Sequence, residues 1–188
     1  LENVSSTTLG MPLFQPLPKI KSDKIRLMFL GNLLPVKGLE ILLKAFSIID
    51  APNVELHIHG KAFNSPLYES YRRYFEKDNI FHHGSFHPSQ LPQILQNADV
   101  GITPSLSENY PTVVREFFNA GVPVIGSRVG GIPELIENEV NGYLFEVGNV
   151  KELSDIIQKI IGSPEIIDRL VSGIQPVMSI AEDATLTL

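Results

Sequence analysis

The sequence predicts an α/β fold, a Rossmann-like parallel sheet of about six strands with helices on both faces. Three observations lead there. Short apolar, β-rich runs recur from Lys24 onward. Between most of them the apolar residues fall at helical spacing. Strands that alternate with helices build right-handed βαβ units, whose strands lie parallel in one sheet. In open sheets of this kind ligands bind beyond the carboxyl ends of the strands. The loops after Leu30, His83, Thr103 and Ser127 are therefore the ones placed to carry chemistry.

Taken in order, residues 1–23 include Pro12, Pro16 and Pro18 and read as an extended linker. The first strand is expected at Ile25–Leu30, followed by a helix with the stripe Leu39, Leu42, Leu43, Phe46 and Ile49. Val54–His59 reads as the second strand, with His57 and His59 on one face, and Ile80–His83 as the third. His82, His83 and His87 cluster at its end, but without carboxylates at ligand spacing they make a poor metal site. Leu91, Ile94 and Leu95 mark the next helix and Val100–Thr103 the fourth strand. Pro111 suits a first helical position, having a fixed φ and no N–H, and Val113, Val114, Phe117 and Phe118 form the stripe behind it. Val122–Ile125 and Tyr143–Glu146 complete the strands, with Pro133 opening a helical turn between them. Leu153, Ile156, Ile157, Ile160 and Ile161 form the last stripe. Residues 24–175 make one expected domain, and residues 176–188 a truncated C-terminal segment.

Composition narrows the classes. With 188 residues, 43% of them hydrophobic, the chain can bury one sizeable core. A net charge of −6 argues against a general nucleic-acid binder. There is no cysteine, hence no disulfide framework and no thiolate metal site, which fits a reducing compartment. No apolar run reaches the length of a bilayer span. The chain starts at Leu1, which suggests a piece of a longer protein.

Three loops hold candidate residues. GNLLPVKG, from Gly31 to Gly38, lacks both the dinucleotide-binding G-x-G-x-x-G and the Walker pattern. It retains a glycine turn and Lys37 at a helix start, either a point charge for a phosphate or a solvated lysine. In the loop from Ser105 to Pro111, Glu108 precedes a helix that carries Glu116, eight residues later. Helical side chains tilt toward the N-terminus, so both carboxylates can face one cavity at a helix start, where amides and dipole favour an anion. That combination suits a ligand bearing hydroxyls and phosphates, although an exposed loop glutamate is usually just solvated. In RVGGIPE, Gly130 and Gly131 permit close backbone approach to a ligand, or simply a tight turn.

Together these motifs resemble the C-terminal domain of family-4 retaining glycosyltransferases with the GT-B fold. The similarity runs from about Ile25 through Ile161. GNLLPVKG is similar to the family's G-R-L-x-x-x-K-G loop, and NADVGITPS to its A-D-x-x-x-x-P-S segment. SENYPTVVREFFNAGVPVIGSRVGGIPELI resembles the E-x7-E signature with the G-x-P-V-I and G-G-x-P-E elements after it. NGYLFEVGNVKEL resembles a further family segment, and Phe14-Gln15-Pro16 an interdomain linker motif.

The resemblance implies a domain that binds a nucleotide-sugar donor, linked to UDP, GDP or ADP, with no cofactor and no metal. Lys37 would bind the diphosphate, beside Gly31 and Asn32, and stabilise charge on the departing nucleotide. Glu116 would accept from ribose hydroxyls. Glu108 would hold hydroxyls of the transferred sugar, helped by the amides of Asn109 and Tyr110. Phe86 would lie near the base. The acceptor would belong to an N-terminal domain not represented here, through which peripheral membrane association could occur, on the cytoplasmic side. Polysaccharide or glycoconjugate synthesis is the implied setting. Two departures stand out. Asn32 occupies the usual arginine position and brings no charge, and Pro111 offers no N–H where many relatives have glycine. The alternatives are half of a non-hydrolysing nucleotide-sugar epimerase and a non-catalytic interaction domain with the same fold.

Overall fold

A computed structural model describes residues 14–62 and 66–175. Six strands form one sheet: β1 (Ile25–Leu30), β2 (Val54–His59), β3 (Ile80–Gly84), β4 (Val100–Thr103), β5 (Val124–Ser127) and β6 (Gly142–Phe145). Their order is β3-β2-β1-β4-β5-β6, and every neighbouring pair runs parallel. The chain moves outward from β1 to β3, then crosses back to β4 beside β1. That reversal point, at the carboxyl ends of β1 and β4, is where the ligand crevice of such a sheet is expected.

Seven helices accompany the strands among the described residues: α1 (Leu39–Ser47), α2 (Pro66–Phe75), α3 (Leu91–Leu95), α4 (Thr112–Asn119), α5 (Ile132–Leu135), α6 (Val150–Gly162) and α7 (Glu165–Ser172). Strand alternation sorts the core into two layers. Leu27, Phe29, Leu56, Ile58, Ile102 and Phe145 face one side, buried with Leu42, Phe46, Tyr71, Ile157, Ile160 and Leu170 of α1, α2, α6 and α7. Met28, Leu30, Val124 and Leu144 face the other, buried with Leu95, Val114, Phe117 and Ile132 of α3, α4 and α5. The expected parallel sheet with helices on both faces is therefore present.

The differences from the sequence reading have physical causes. Helix α2 is signalled by Tyr71 and Tyr74 rather than by an aliphatic stripe, and α7 follows α6 with no strand between to announce it. The fifth strand runs two residues later than expected. Its last residues, Gly126 and Ser127, are buried but too small to register as an apolar run. The sixth strand stops before Glu146, whose amide instead donates to the Glu152 carboxylate at 2.9 Å. Pro111 precedes α4 as its N-cap, with φ −79° and ψ 71°, and Thr112 is the first helical residue.

Two further features frame the sheet. Residues 14–23 contain no helix or strand, yet they are tied down. Lys19 donates to the carbonyls of Leu95 and Ala98 at 2.9 and 2.8 Å, and Arg26, paired with Asp99, reaches the carbonyl of Ile20. Because α3 has only five residues, one face of β2 and β3 is left partly open. There His57, His83 and His59 stack, with ring centroids 5.2 and 4.2 Å apart. Burial and the neighbouring imidazoles hold His59 down at about 4.

Candidate functional site

The carboxyl ends of β1 and β4 bring two of the three candidate loops together. After β1, Pro35–Lys37 forms a short 3₁₀ turn that hands over to α1 at Gly38, in the left-handed conformation with φ 68°. A Cβ at Gly38 would stand 1.8 Å from the carbonyl oxygen of Pro104, so the turn can approach the β4 loop only because this residue is glycine. One step further on, the Leu106 amide donates to the Val36 carbonyl at 2.8 Å. The loops are thus joined through their backbones.

Across this junction Lys37 Nζ donates to Glu108 Oε2 at 2.6 Å. The side chains are 32% and 16% exposed, so the pair is partly shielded from solvent. The third loop supports Glu108 from behind. Gly130, with φ 52°, lies so close that a Cβ would meet the Glu108 carbonyl oxygen at 1.4 Å, and the Gly131 amide donates to that oxygen at 3.3 Å. The Gly130–Gly131 pair therefore permits a close approach, but to the protein's own backbone. Ser127, fully buried, adds a hydroxyl that donates to the Ser105 carbonyl at 2.6 Å.

Glu116 lies on the second turn of α4. It is partly buried, and among the described residues no cation pairs with it. Burial pushes its carboxyl up to about 7. A carboxylate raised by desolvation on the helix that follows β4 is a functional-site candidate. Asn109 and Tyr110 are exposed between the two glutamates, with the Arg115 guanidinium 5.4 Å from the centre of the Tyr110 ring. Asn32 is exposed beside half-buried Gly31, whose amide donates to the His59 carbonyl at 3.0 Å. Phe86 stands apart from the ion pair. It packs partly against the α3–α5 core layer and meets His59 edge-on at 6.1 Å.

A cavity of about 800 Å³ lies over the open face of β2 and β3, lined by Arg26, His57, His59, His83, Gln90 and Asn97. None of Gly31, Lys37, Glu108 and Glu116 lines it. The crevice is the better candidate, because opposite charges, loop backbones and the sheet's reversal point converge there. Sequence reasoning missed the Lys37–Glu108 pairing, the Val36–Leu106 link and the role of Ser127. All three depend on contacts that reach the loop after β4 from segments distant in the chain.

Residues 14–174 match the family model described as glycosyl transferases group 1. The chain belongs to that family. It is 30% identical over 144 residues to a D-inositol 3-phosphate glycosyltransferase from Segniliparus rotundus, covering 73% of this chain and 32% of that relative. The chain thus spans about a third of that curated relative's length. Among solved structures, Anabaena Alr3699/HepE in complex with UDP-glucose superposes with a TM-score of 0.73 at 25% identity, covering 87% of this chain and 49% of that one. The C-terminal domain of a glycosyl transferase group 1 family protein from Francisella tularensis shares the fold, with a TM-score of 0.70 at 17% identity. It covers 90% of this chain and 87% of that one.

Proposed function

We propose that this member of the glycosyl transferases group 1 family is the donor-binding part of a retaining glycosyltransferase. It would take a UDP-, GDP- or ADP-linked sugar and deliver it to an acceptor held by another part of the protein. The observation that carries this reading is the meeting of Lys37 and Glu108 at the reversal point of the sheet, one group suited to phosphate and the other to hydroxyls. The UDP-glucose complex of the Anabaena protein supports a nucleotide sugar as the ligand class. The chain's coverage of only 49% of that structure supports an acceptor-binding part elsewhere.

In this reading Lys37 holds the diphosphate against the glycine turn of Gly31 and Asn32. Glu116 accepts from the ribose hydroxyls, and Glu108 accepts from hydroxyls of the transferred sugar beside the amides of Asn109 and Tyr110. Phe86 borders the base. As the bond from the anomeric carbon to the phosphate oxygen breaks, its electron pair leaves with the nucleotide. Negative charge grows on the diphosphate, and a fixed ammonium there favours the transition state over the ground state. The acceptor hydroxyl supplies the new oxygen, and its proton passes to the departing phosphate oxygen. No step calls for a metal ion. Among the described residues no helix is long and apolar enough to cross a membrane. Membrane association through the acceptor part, on the cytoplasmic side, belongs to the same proposal.

Calorimetric titration of the chain with UDP, GDP, ADP and their sugar conjugates tests the reading. Binding with a preference for one base supports it and names the base. No binding of any nucleotide would transfer the site to the non-catalytic alternative, for which Asn32 in place of arginine is the motivating residue.

A further inference from the structure

The chain meets its ligand with the two principal groups of the crevice already joined. Lys37 and Glu108 form a 2.6 Å ion pair, and the backbones that carry them are locked together. The Leu106 amide holds the Val36 carbonyl, Gly38 is pressed against the Pro104 carbonyl, and the Gly130–Gly131 turn backs the Glu108 carbonyl. Any anion that reaches Lys37 in this arrangement therefore comes up beside the Glu108 carboxylate, 2.6 Å from the ammonium. If the anion takes the ammonium, Glu108 loses its partner while half-buried and next to new negative charge, which is unfavourable on both counts.

We propose that the Lys37–Glu108 ion pair makes Glu108 a specificity-determining residue that selects nucleoside diphosphates carrying a sugar over bare nucleoside diphosphates and pyrophosphate. The inference rests on reading the crevice as a donor site, and it adds a discrimination which that reading does not contain. A nucleotide sugar takes Lys37 for its phosphates and returns hydroxyl donors to Glu108, so neither partner is left unsatisfied. A bare diphosphate makes the first exchange without the second. The same asymmetry acts after transfer, when the sugar has gone. Glu108 then competes again for Lys37 and weakens the hold on the product.

The test is titration calorimetry at pH 8 with UDP, GDP, ADP, their glucose conjugates and inorganic pyrophosphate, on the wild-type chain and on the Glu108→Gln and Glu108→Ser variants. Glu108→Ser removes the carboxylate without leaving an amide in reach of Lys37, and thermal melting verifies that each variant folds. Both variants are expected to bind pyrophosphate and the preferred nucleoside diphosphate about tenfold more tightly than the wild type, losing a charge–charge competition of that size. They are also expected to lose the preference for the sugar conjugate. Unchanged or weaker diphosphate binding in both folded variants would overturn the discrimination while leaving the donor site in place. Failure of the wild type to bind any nucleotide would overturn the donor site, and the discrimination with it.

Discussion

Glu116 is the residue whose chemistry is most sharply set by its surroundings. Burial lifts its carboxyl from the ordinary value of 4.5 to about 7, so the folded chain keeps this proton to a higher pH than the unfolded chain does. Between those values the native state binds more protons, and stability falls as pH rises from about 4.5 to about 7. The contribution is about 1–3 kcal/mol, and Glu116→Gln should flatten that part of a urea-unfolding profile measured against pH. Ligand binding should move the opposite way. Ribose hydroxyls donate better to the ionised group, so nucleotide affinity in the wild type is expected to rise through pH 7. Glu116→Gln should weaken it by about 10–100-fold and remove the pH dependence, consistent with the loss of hydrogen bonds to a charged acceptor. Equal affinity in variant and wild type would deny the ribose role. The candidate groups Lys37, Glu108 and Glu116 could all be picked out in the sequence, because their types and loop positions are local facts. That Lys37 and Glu108 touch was not legible, since 71 residues separate them.

Strands, turns and helices behave as units with their own sensitivities. Gly38 joins the turn after β1 to α1 at φ 68°, against the backbone of the β4 loop. Gly38→Ala should cost about 2–4 kcal/mol in denaturant unfolding, because both the dihedral and the contact with Pro104 must yield. It should also spread the two loops and weaken diphosphate binding. The imidazole stack on β2 and β3 sets an acid limit. His59 sits at about 4, held down first by burial and then by His83, His57 and His82, whereas the unfolded chain takes up that proton near 6.5. Here the unfolded state binds more protons, so stability is expected to drop as pH falls from about 6.5 toward 4. His59→Gln should lessen the drop in thermal melts recorded at pH 7 and pH 5. Elements with aliphatic stripes, such as α1 and α6, were readable from spacing alone. Helix α2 was not, because its buried contacts come from Tyr71 and Tyr74, residues equally at home in strands.

Across the whole molecule, the segment before β1 is held to the sheet by a buried cation. Arg26 is 7% exposed and pairs with Asp99, beyond the far end of α3, while reaching back to Ile20. Asp99→Ala would leave that guanidinium buried beside a missing partner, and should destabilise the chain by about 3–5 kcal/mol in urea unfolding. Lys19 would lose its nearest countercharge as well, since Asp99 is the group that opposes the lowering of its amine to about 8 by burial. For activity, the expectation is that the chain alone transfers no sugar, because the proposed function assigns the acceptor to another part of the protein. Radiolabelled transfer by the isolated chain would contradict that. The sequence by itself determined the alternation of strands and helices, the two-layered core and the kinds of charged group in each loop, because periodicity and residue chemistry are properties of neighbours in the chain. Only the tertiary structure decided that β4 lies beside β1, that Lys37 meets Glu108, and that Gly130 serves the protein's own backbone. Those outcomes depend on strand order and on contacts between distant segments, which no local pattern encodes.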